Sequence, residues 1–165
     1  MERSPARRCP RGNKRAPRLS AFTAALFTQL AVSTGMILAT ATIHGIGLSL
    51  LTRAMASERR EERVHHMVPM SLRAMGYTLL IVLGLFALHG VEIWLYAALY
   101  AAIGATANFE AALYFSTISY AAIGYSDVVI ADAWRLVGAV EGINGVILLG
   151  WSTAFFVSQI TRLRP

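Results

Sequence analysis

Residues 109–129 read FEAALYFSTISYAAIGYSDVV and lie between two long apolar segments. The stretch begins as a helix and then breaks. Asn108 is a good N-cap, and the helix predicted from Phe109 to Tyr120 is about 18 Å long, too short to cross a hydrocarbon core of about 30 Å. Ala122, Ile123, Gly124, Tyr125 and Ser126 follow, a run that leaves backbone carbonyls without helical partners. Lipid cannot satisfy such groups, and irregular backbone at that depth is tolerated only inside protein or along a water-filled path. The stretch therefore predicts a re-entrant segment. Its helix C-terminus carries a partial negative charge, which favours a cation.

The composition supports a membrane setting. Of 165 residues, 56% are hydrophobic and 15% charged, whereas soluble domains carry about 25% charged residues. Three apolar segments are each longer than the roughly 20 residues a spanning helix needs. The expected layout is a basic, disordered tail over 1–18, a first transmembrane helix over 19–52 and a polar cytoplasmic loop over 53–71. A second transmembrane helix follows over 72–105, then the re-entrant helix and loop over 106–132, then a third, inner helix over 133–162. The fold class is an all-α membrane protein with three transmembrane helices, multi-pass in the cell membrane. Trp94, Tyr96 and Tyr100 are expected at a headgroup boundary.

Seven of the fifteen Lys/Arg residues fall in RSPARRCPRGNKRAPR, before any apolar segment. That placement favours anionic lipid headgroups over nucleic acid. It also leaves the positive-inside rule close to a tie, because the loop from Arg53 to Arg73 is basic as well. Cleavage after LATA (38–41), or translation from Met36, would each resolve that tie. Cys9 is the only cysteine, so no intrachain disulfide forms, and no zinc-spaced cluster or phosphate-binding glycine loop appears.

From Phe109 onward the sequence resembles the pore loop of the potassium-channel superfamily, in particular small bacterial proteins similar to two-pore-domain channels. Phe109, Ala112, Leu113, Tyr114, Phe115, Ser116, Gly124, Tyr125 and Asp127 match that pattern without a gap. WRLVGAVEGINGVILLGWSTAFF, from Trp134, is similar to the family's inner helix, so the resemblance covers about a third of the chain, Phe109 to Gln159. It implies a tetrameric pore in which carbonyls of Ala122, Ile123, Gly124, Tyr125 and Ser126 replace the water shell of K+. One loop per chain implies a homotetramer, or a mixed tetramer with a related subunit. Two positions depart from the pattern. Ala122 stands in place of threonine and Ser126 in place of the second filter glycine, which widens the permeant ion to K+ or Na+. No resident cofactor is implied.

Four polar residues are candidates for the pore mouth or filter support. Glu110 and Asp127 flank the loop, where repeated carboxylates concentrate cations. Glu141 and Asn144 lie three apart on one face of the third helix. Glu141 is expected to brace the filter from behind and Asn144 to line the inner cavity; the other reading packs both between helices. Gly138, Gly142, Gly145 and Gly150 give that helix small surfaces for close packing, with a hinge at Gly145 as the alternative. His89 and Glu92, also three apart, are expected to be a structural pair, with His44 separate in the first segment and no third metal ligand evident.

These observations predict a cation channel, with potassium the expected ion, and no enzymatic chemistry, because no nucleophile–base constellation occurs. Two other readings use the same residues. One is a non-conducting or regulatory channel subunit disabled at Ala122 and Ser126. The other is a small proton-handling transporter built on His89, Glu92 and Glu141.

Overall fold

The computed structural model describes residues 16–62, 72–124 and 129–161, and these are helical apart from short connections. In chain order they form α1 (Ala16–Glu62), α2 (Leu72–Ala102), α3 (Phe109–Tyr120) and α4 (Arg135–Thr161), with a 3-10 turn at Asp132–Trp134 leading into α4. No strand occurs among the described residues. Three helical stretches, Thr23–Met55, Met75–Ala102 and Asp132–Thr161, are long and apolar enough to cross a membrane.

α1 corrects the layout at both ends. It begins at Ala16, inside the expected tail, and continues past residue 52 to Glu62. Hydropathy ends near Leu51, but the next residues, TRAMASERREE, contain neither Gly nor Pro and are rich in Ala, Met, Arg and Glu. Such residues favour a helix whether or not lipid surrounds it. The rest of the expected tail and loop, 1–15 and 63–71, lies outside the described residues.

Small residues bring the long helices together. A Cβ on Gly47 of α1 would strike the side chain of Leu88 on α2, and one on Gly84 of α2 would strike Leu51 on α1. Each helix thus offers a notch for the other's leucine, the close approach that drives packing where no hydrophobic effect operates. The core of the molecule lies around α3. There Tyr96, Ala97 and Tyr100 of α2 pack with Ala112 and Phe115 of α3, Val137 of α4 and the connecting residues Ala105 and Ile130.

Tyr96 and Tyr100 are therefore fully buried between helices and do not turn their rings outward. Their hydroxyls find partners inside the protein, as described below. Trp94, on another face of α2, is 58% exposed and meets the Phe109 ring edge-on at 5.7 Å.

Candidate functional site

α3 forms over the predicted residues because its ends are chemically marked. Asn108 has extended backbone, and its side-chain oxygen accepts from the Ala111 N–H at 2.8 Å. The backbone of Ala131 donates to Ala105 O at 2.8 Å, which draws the two connections flanking α3 together near its start. At the other end, Tyr120 contacts His89, near the middle of α2. α3 therefore starts beside the end of α2 and stops about half-way along it.

The C-terminus closes as a Schellman motif. Ile123 N–H donates to Ile118 O at 2.8 Å, and Ala122 N–H donates to Ser119 O at 2.9 Å. Such a motif places its C′ residue in the left-handed region, here Ala122 at φ 55. Gly124 repeats that conformation at φ 63, and its N–H also donates to Ile118 O, at 3.1 Å. The donors of this run are thus consumed by the helix behind it. Among the described residues, no donor reaches the carbonyls of Ala122, Ile123 or Gly124, and all three residues are exposed. Residues 122–124 therefore present acceptors and no free backbone donors.

The glycines of α4 form the seat for this helix end. A Cβ on Gly138 would strike the Phe115 ring, one on Gly142 would lie 3.1 Å from Ser119 O, and one on Gly145 would overlap Tyr120 O. Gly145 thus lets two backbones touch. Gly150 has open space around it, so the packing reading applies to three of the four glycines.

A buried stripe, polar except for Leu148, runs along the same helix. Glu141, Asn144, Leu148 and Ser152 are buried at helical spacing. Glu141 accepts at 2.5 Å from Ser116 on α3 and at 2.5 Å from Tyr100 on α2, so its carboxyl group ties three helices together. Asn144 departs from the expected cavity wall. It is only 4% exposed in the single chain and donates to Thr40 at 2.8 Å and to Tyr96 at 3.3 Å. Its amide is turned into the packing between α4, α1 and α2.

The third polar group overturns the simple His89–Glu92 pair. His44 reaches across from α1, and its Nδ1 lies 2.8 Å from Glu92 Oε1. Tyr120 donates its hydroxyl to Glu92 Oε2. His89 spans from Tyr120, at 2.9 Å, to Ser152, at 2.9 Å, and Ser152 is 3.3 Å from His44 Nε2. Five residues from four helices thus close a ring, and the last residue of α3 is one of them. The partner that spacing along α2 does not reveal is His44. No hydrogen bond among the described residues joins this ring to Glu141, so the three groups of the transporter reading fall into two separate networks.

A family model described as "Ion channel" matches residues 79–162, half of the chain. The chain belongs to the ion-channel family. The matched residues include most of α2, α3, its loop and α4, while His44 and Thr40 of α1 lie outside the match. No curated protein and no solved structure matches the chain.

Within the channel, the predicted residues separate by position. Ala122, Ile123 and Gly124 form the exposed loop, and Glu110 is exposed in the first turn of α3. Tyr125, Ser126 and Asp127 lie outside the described residues. Asp132 pairs with Arg135 at 3.0 Å, one turn apart on the surface. Sequence reasoning missed Tyr100, Ser116 and Tyr120 as polar partners. Their burial within apolar helices was the available signal, because a hydroxyl there needs a mate.

Proposed function

We propose that the protein is a potassium channel in which four copies surround one pore, with α3 as the re-entrant pore helix and residues 122–126 as the filter. The observation that carries this reading is the unequal use of the loop's backbone groups. Ile118 O and Ser119 O take up the N–H groups of Ala122, Ile123 and Gly124, leaving the carbonyls exposed at a helix C-terminus. A row of carbonyls beside a negative dipole end suits a dehydrating cation. The position of Tyr120 at mid-length of α2 supports a helix that enters the bilayer and stops.

Assembly would use the opposite face of α4 from the polar stripe. Ile143, Val146 and Ile147 are 64%, 52% and 62% exposed in the single chain. In a fourfold arrangement that face would line the inner cavity or meet a neighbouring subunit, while Glu141 braces α3 from behind. Glu110 and Asp127, repeated around the mouth, would raise the local cation concentration. The cell membrane is the expected location.

Flux from liposomes containing this chain alone tests the reading. Potassium efflux should exceed sodium efflux, and Ser126→Gly should increase that preference by restoring the glycine of the pattern that the sequence resembles. Absence of any flux would favour the non-conducting subunit. Proton-coupled uptake abolished by Glu92→Gln would favour the transporter.

A further inference from the structure

The ring around Glu92 holds the makings of a site with no place in ion conduction. His44, His89 and Glu92 come from α1 and α2, and their ligand atoms all lie within 4.8 Å of one another. Glu92 Oε1 is 2.8 Å from His44 Nδ1, and Glu92 Oε2 is 3.3 Å from His89 Nδ1. The Tyr120 oxygen stands 2.9 Å from His89 Nδ1, at a fourth corner. Ligands arranged tetrahedrally around Zn2+ at 2.0–2.1 Å are separated by about 3.3 Å. Two of these separations, Glu92 to His44 and Glu92 to His89, lie within about half an ångström of that spacing, and the Tyr120 hydroxyl must draw back from Glu92 to admit an ion. Two imidazoles and a carboxylate suit a borderline-soft divalent ion and are a poor cage for K+ or Mg2+.

Hydrogen-bond bookkeeping points the same way. When Glu92 is ionised and both rings are neutral, Glu92 accepts from Tyr120 and from His44 Nδ1–H, and the Tyr120 oxygen accepts from His89 Nδ1–H. Both Nε2 atoms are then bare and face Ser152, which has one hydrogen for two acceptors. The ring is short of one positive charge. A metal ion on the two Nδ1 atoms reverses this. Each ring keeps its Nε2–H, and the two lone pairs of Ser152 Oγ accept both, fixing the ring orientations as a metal site requires.

Access also exists. His44 and Glu92 are fully buried, but His89 is 12% exposed and, with Tyr120 and Ser152, lines a cavity of about 590 Å³ between α2, α3 and α4. The His89 side of the ring is thus the one that borders open space.

We propose that His44, His89 and Glu92, with Tyr120 at the fourth position, bind one divalent transition ion of the Zn2+ class. The ion fastens the end of α3 to α1 and α2. Because Tyr120 directly precedes residues 121–124, the staple holds the base of the carbonyl loop. Metal binding itself does not depend on the potassium-channel reading.

The test uses full-length, tag-free protein in detergent, stripped with a chelator and titrated with Co2+ and then Zn2+. One Co2+ per chain should bind with the intense visible bands of tetrahedral coordination, and Zn2+ should displace it. Elemental analysis after gel filtration should find one zinc per chain. His44→Gln should abolish the bands. Ser152→Ala keeps every ligand and should weaken binding about 10- to 100-fold, the usual effect of losing a group that orients a ligand. Gel-filtration position checks that each variant remains folded. Absence of stoichiometric metal on the wild-type chain would overturn the proposal, as would octahedral Co2+ bands or binding unaffected by Ser152→Ala. A ring occupied by a proton alone gives the first of these results. Liposome flux and particle mass judge the pore reading separately.

Discussion

Ala122 is a non-glycine residue with positive φ, a conformation that costs an L-residue roughly 1–2 kcal/mol. Glycine avoids that strain but adds backbone entropy to the unfolded chain. Ala122→Gly should therefore raise stability modestly, by about 0.5 kcal/mol, or about 1–2 °C in the thermal midpoint of the detergent-solubilised protein. A β-branched residue would be worse there than alanine, so Ala122→Thr should lower the midpoint. Glu141 poses a different problem. It is the acceptor for two buried hydroxyls, those of Ser116 and Tyr100. Glu141→Ala should cost about 2–3 kcal/mol, because hydroxyls left unpaired in the interior each lose a bond that water cannot replace. Ser116 limits the loss, since its one hydroxyl hydrogen can turn to Ile93 O, 2.9 Å away. Glu141→Gln keeps an acceptor and should lose less. Thermal denaturation of the two variants side by side would show that order.

Between elements, the decisive contact is backbone on backbone. α3 ends with the Tyr120 carbonyl against Gly145, and no rotamer change can make room for a side chain there. Gly145→Ala should push the end of α3 away from α4, destabilise the fold by about 1–3 kcal/mol as overpacking does, and disturb the loop that follows. Ion flux should fall more than protein yield. Gly76→Ala is the matched control, because nothing lies within 4 Å of a Cβ at that position of α2. It should leave flux unchanged and raise helix stability slightly. If the two variants behaved alike, the Gly145–Tyr120 contact would not be what positions the loop.

At the scale of the molecule, one chain supplies one loop, and a carbonyl ring needs several. The chain weighs 17.9 kDa, and light scattering with the detergent contribution subtracted should give a protein mass four times that value. A monomer or dimer would end the proposed pore. The exposed apolar face of α4, with Ile143, Val146 and Ile147, is the surface where charge should do most harm. Ile147→Asp should shift the mass downward if that face meets a neighbour. If it lines the cavity, the mass should hold while conduction changes.

The sequence alone determined what depends on local chemistry. Apolar length sets the three spans, because a helix needs only its own residues to satisfy its backbone in lipid. Asn108 and the run after Tyr120 mark both ends of α3, because caps and breakers act within a few residues. The register from Phe109 to Asp127 resembles a channel pore loop, and the family match extends over it. The same local reasoning stopped α1 too early, since hydropathy reports the solvent and helix propensity reports the backbone. Only the tertiary structure decided which polar residues meet. Glu141 finds Ser116 and Tyr100, 25 and 41 residues away. Asn144 finds Thr40, 104 residues away. His44 joins Glu92 from 48 residues away. Helical spacing tells which side chains share a face, but the partner opposite depends on how neighbouring helices are rotated and shifted, and that is fixed by packing along their whole length.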